Sequence, residues 1–63
     1  MDMDSLRKWL GLIDRKLVIE RSGLSAPTLS RLANGGSCQY RTILTAHATV
    51  VAILKEAQQE LEG

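Results

Sequence analysis

Two short stretches with the same opening chemistry meet at a single glycine, and that junction constrains the fold more than any other feature. Asp14 and Ser25 are both good helix N-caps, because a short side-chain oxygen satisfies an amide that has no partner within the helix. Each cap is bracketed by apolar residues at staple spacing, Ile13 with Val18 and Leu24 with Leu29. Gly23 lies between them, where a left-handed backbone conformation would penalise any side chain. Pro27 falls in the first turn of the second segment, where its missing N–H costs nothing. The pattern predicts a helix from Arg15 to about Ser22, a turn at Gly23, and a second helix opened by Ser25 and stopped by Asn34-Gly35-Gly36.

The flanks are helical as well. Leu6, Trp9, Leu10 and Ile13 follow the spacing of one apolar helix face. Asp4 or Ser5 is the expected cap of this first helix, Gly11 weakens its end, and Trp9 belongs to the core. After a loop at Ser37 to Gln39, a long helix is expected from about residue 40 to about residue 61. Its main apolar line is Ile43, Val50, Leu54, Ala57 and Leu61, widened on one side by Ala46 and Ile53 and on the other by Leu44, Ala48 and Val51. A helix apolar on two sides needs two partners. One is the domain core. The second is assigned to a twin chain, through Val50, Val51, Leu54, Ala57 and Leu61, with parallel and antiparallel geometry both open. His47, on the same line, is expected to be packed or at that interface. The fold class is all-α: a four-helix single domain with a central helix-turn-helix over about 15–35 and a long C-terminal helix.

Size and composition agree with self-association. A chain of 63 residues buries only ~60% of its unfolded surface. One cysteine, Cys38, and one histidine give neither an internal disulfide nor a usual zinc site. The lone thiol fits a reducing cytoplasm. The acidic Met-Asp-Met-Asp start is unlike a signal peptide, and no apolar run reaches membrane-spanning length. Net charge is +1, but its distribution is uneven. Asp2, Asp4, Glu56, Glu60 and Glu62 sit at the ends, and no acid occurs between Arg21 and Lys55. A basic body with acidic ends pointing away fits a polyanion footprint. Paired carboxylates, a nucleophile with its base, a metal cluster and a phosphate-cradling loop are all missing from the pattern, so no enzyme activity and no cofactor are expected.

From Leu17 to Gly35 the chain resembles the Cro/C1-type (phage repressor-like) helix-turn-helix family. The resemblance rests on Glu20-Arg21-Ser22-Gly23-Leu24-Ser25, on Thr28-Leu29-Ser30-Arg31-Leu32 and on the Asn34-Gly35 stop. The LacI-type motif is also similar through Leu29 to Leu32. Two positions depart from the family pattern: Ile19 stands where a small residue is usual, and Ser22 where an apolar residue often precedes the turn glycine. The resemblance implies that the second motif helix enters the major groove of duplex DNA, with Leu29 and Leu32 turned to the core. Ala26, Pro27, Thr28, Ser30, Arg31 and Asn34 are then the base-reading candidates. Arg31 is the sharpest, since a guanidinium can pair with both O6 and N7 of guanine. Ala26 and Pro27 offer at best a contact to a thymine methyl, so DNA shape is expected to contribute to recognition.

Ser25, Arg15, Lys16, Gln39, Tyr40, Arg41 and Thr42 are the candidates for the sugar-phosphate backbone, and the amides opening the first motif helix are a further phosphate site. The expected function is a sequence-specific, double-stranded DNA-binding regulator. It is a small dimeric repressor that occupies a palindromic operator without a small-molecule effector. The competing expectation is a protein-interaction module of the same fold, an inhibitory or antitoxin-like partner that uses the apolar C-terminal helix.

Overall fold

The structure is a computed structural model and describes residues 1–62. It contains four helices in chain order: α1 (Met3–Leu12), α2 (Arg15–Ser22), α3 (Ala26–Ala33) and α4 (Tyr40–Glu62). No strand occurs among the described residues. The all-helical fold class holds, and the helix ends agree with the caps read from the sequence, with one exception. α1 is capped by Asp2, not by Asp4 or Ser5. Asp2 Oδ1 accepts from the Ser5 amide at 2.8 Å. Asp4 lies inside the first turn, and there it pairs with Arg7 one turn on. The Ser5 amide bond holds the Asp2 carboxyl below the usual carboxylate range.

Asp14 caps α2 by accepting from the Lys16 amide at 3.1 Å. Gly23 closes that helix at φ +74°, its amide donating to the Ile19 carbonyl at 2.9 Å. Ser25 caps α3 through the Thr28 amide. The stop after α3 is a complete Schellman closure: Gly35, at φ +85°, donates to the Leu32 carbonyl and Gly36 to the Arg31 carbonyl at 2.8 Å. A second lock comes from α1, where Arg7 Nε donates to the Leu32 carbonyl at 3.3 Å.

The core is one cluster drawn from every helix: Leu6, Leu10, Val18, Leu29, Leu32, Ala46, Val50 and Ile53. α1 packs on α3 and α4, and α2 on α4 and α3, so α3 is pinned from behind while its other side faces solvent. Trp9 is half-buried against this cluster rather than inside it. Thr49 is a buried polar residue on the core side of α4. Its hydroxyl is satisfied within the helix by the Thr45 carbonyl at 2.8 Å, so it adds no unpaired polar group to the core.

Val50 corrects the expected twin-chain contact. It is 0% exposed, inside the core cluster, and has no surface left for a partner. Val51 and Leu54 are half-buried, and Ala57 and Leu61 are exposed. The core line of α4 is therefore Ile43, Ala46, Val50 and Ile53, rotated from the line anticipated through Leu54, Ala57 and Leu61. The charge layout differs from expectation too. The acidic ends fold back in part, with Glu56 paired to Arg21 across α2 and α4 and Asp4 paired to Arg7. No helix among the described residues is long and apolar enough to cross a membrane.

Candidate nucleic-acid interface

α3 presents two unlike sides because its sequence alternates with helical period. Leu29 and Leu32 are fully buried. Ala26, Pro27, Arg31 and Asn34 are exposed, and Thr28 and Ser30 are half-exposed. All six candidate base-reading residues thus lie off the core side of one short helix. That helix is held at its start by Ser25, at its end by the Schellman closure, and from behind by two leucines.

Two flanks frame this surface. On one, Arg15 at the start of α2 reaches over and its Nη1 donates to Ser30 Oγ at 2.9 Å. Ser30 is therefore already engaged, and Arg15 is held at the edge of α3. On the other flank, an open groove of about 460 Å³ runs between α3, the Ser37–Gln39 loop and the start of α4. Thr28, Arg31, Gln39 and Thr42 all line it, so two base-reading candidates and two backbone candidates share one concavity. Cys38, half-buried, sits in the same wall.

Arg31 is exposed and has no acidic partner among the described residues. Its stem is packed against the chain stop: a methyl group built on Gly36 would lie 2.5 Å from Arg31 Cγ and 3.1 Å from the Arg31 carbonyl oxygen. Gly36 is thus required by the path of the arginine as well as by the turn, a role that the Gly-Gly pair alone did not reveal. Thr28 is less free than the sequence implied, because its hydroxyl is 2.8 Å from Ser25 Oγ within the cap.

Two of the expected backbone contacts, and the amides opening α2, lie apart from the α3 groove. Tyr40 turns away from the α3 groove and instead lines an apolar groove with Met1, Met3 and Leu44. Arg41 lines neither groove and is exposed on the outer side of α4. The start of α2 is not an open phosphate site. The Asp14 carboxylate already accepts from the Lys16 amide, and its negative charge repels a second anion there. Lys16 itself is exposed.

No protein-family model, curated protein or solved structure matches this chain.

Proposed function

We propose that the chain binds duplex DNA sequence-specifically through α3 and regulates transcription as a small dimer that occupies its operator. The observation that carries this reading is the unpaired Arg31 on the solvent side of α3, in one groove with Thr28, Gln39 and Thr42. A helix of eight residues standing out from a core, with its polar side uncovered and its apolar side locked, is of a size to enter a major groove. Arg31 is the guanine reader. Asn34 and the apolar residues Ala26 and Pro27 supply the remaining base-edge contacts, the latter two to thymine methyls. Arg15, Lys16, Gln39 and Thr42 hold the backbone, and Ser25, at the cap, flanks it.

Selection from a random duplex pool at about 150 mM salt tests the reading. The expected product is a palindrome with half-sites about one helical turn, ~34 Å, apart or a multiple of it. A retained pool that stays random contradicts it.

A second reading has its own support. The outer side of α4 is uncovered and partly apolar, as a protein-docking helix requires. If that were the function, Arg31→Ala would leave the partner complex unchanged.

A further inference from the structure

α4 carries a second apolar seam beside the one that builds the core. Tyr40, Leu44, His47, Val51, Leu54, Gln58 and Leu61 recur at alternating intervals of four and three along the helix. This is the heptad spacing of a helix that packs along its length against another helix. None of the seven is buried. Tyr40 is 73% exposed, Leu44 49% and Leu61 89%. Met1 and Met3 join Tyr40, Leu44 and His47 around an apolar groove of about 310 Å³ beside the first turns of this seam. Leu61, the most exposed of the large apolar residues described, stands at the seam's other end.

We infer that this seam is covered by the same seam of a second copy, running antiparallel. Placing Val51 against Leu54 of the second copy fixes the register of the whole helix. Leu44 then meets Leu61 of the second copy, which enters the groove beside Met1 and Met3. His47 meets Gln58, pairing two side chains that can each donate and accept. One position outward, Arg41 meets Glu62, and the Lys55 stem lies over Ala48. Glu62 is poised for this, since Gln58 Nε2 already donates to its Oε1 at 3.3 Å.

A parallel arrangement gives none of these matches. It sets Gln58 on Gln58 and His47 on His47, and places Lys55 beside the buried Val50 and Glu62 beside Ala57, so neither charge meets an opposite one. Charge complementarity therefore selects the antiparallel pair. That pair is also closed and isologous: each groove receives one leucine and no sticky end is left over.

The arrangement deepens the dimer of the proposed regulator, and it removes Arg41 from the phosphate-contacting group, in agreement with its place outside the α3 groove. Seam contacts rather than the exposed Arg41–Glu62 pair supply the affinity, because surface ion pairs contribute little. The pair sets direction.

Crosslinking without DNA tests it. In a Cys38→Ser background, Arg41→Cys and Glu62→Cys chains are prepared separately, mixed and oxidised, and the untreated wild-type chain is sedimented over a range of concentrations. Positions 41 and 62 of one helix are ~31 Å apart at the α-helical rise, whereas a disulfide needs Cα atoms within roughly 7 Å. The expected result is a wild-type dimer and a mixed disulfide between the two variants, at least tenfold over either self-disulfide. Self-disulfides of each variant without the mixed species would show a parallel pair and overturn the inference. A wild-type chain that sediments as a monomer at every concentration would overturn it too. Neither result bears on base reading by α3, which the pool selection judges separately.

Discussion

Gly23, Gly36 and Gly11 are three glycines with three different physical roles, and substitution separates them. Gly23 sits at φ +74°, so Gly23→Ala forces a side chain into the left-handed region and is expected to cost about 1–2 kcal/mol. In a domain of this size each kilocalorie is worth roughly 4–8 °C in Tm, so thermal unfolding reads the loss directly. Gly11 lies inside α1 with nothing within 4 Å of an added methyl. Gly11→Ala should raise stability, by up to about 1 kcal/mol, by the same measurement. Gly36→Ala is the functional case. Its methyl collides with the Arg31 stem and leaves the arginine charge in place. Weaker specific DNA binding with unchanged net charge is expected, measured by anisotropy on the selected duplex. Unaltered binding would show that Arg31 is not held where α3 needs it.

Asp2 gives a residue-scale pH dependence. Its folded carboxyl is held below the ordinary 3.8, first by the Ser5 amide, so this contribution is fully present above that value and is lost as pH falls below it. Fraying of α1 below about pH 4, absent in Asp2→Asn, is the expected circular-dichroism signature.

At the scale of elements, the caps explain why so much of the chain was legible. Asp14, Gly23, Ser25 and the Asn34-Gly35-Gly36 stop each act through the nearest three or four amides, and local chemistry of that kind is written in local sequence. Ser25→Ala, which removes an acceptor for the Thr28 amide, should cost about 1 kcal/mol. Leu32→Ala, at the point where α3 is pinned to the core, should cost roughly 2–5 kcal/mol. What was not legible depends on how helices rotate against one another. Periodicity placed Val50 on an apolar line but did not say which of two seams faces the core, because both recur at helical spacing. The Arg15–Ser30 and Arg7–Leu32 bonds join residues 15 and 25 positions apart, and no local pattern announces them. Tyr40 and Arg41 were assigned with their neighbours Gln39 and Thr42 by proximity in sequence. One residue is about 100° around a helix, and that rotation puts them on another side of α4.

For the whole molecule, the proposed pairing would add stability to a fold with eight buried apolar side chains and an uncovered seam. Tm should therefore rise with protein concentration, and the rise should vanish in Leu61→Glu, whose carboxylate is repelled by the Asp2 carboxylate that lines the same groove as Met1 and Met3. The cations left unpaired on α3 and its flanks are few, so DNA affinity should fall with salt on a moderate slope, set by the number of phosphates neutralised per dimer.

In the proposed regulator, sequence specificity rests on Arg31, presented by a rigid α3, reading a base. The pool selection repeated with Arg31→Ala tests it most directly, against the wild-type result. The variant should recover the same site with one guanine per half-site no longer specified, and should bind the original site about 1–3 kcal/mol more weakly. An Arg31→Ala chain that selects the identical sequence, guanine included, would contradict it.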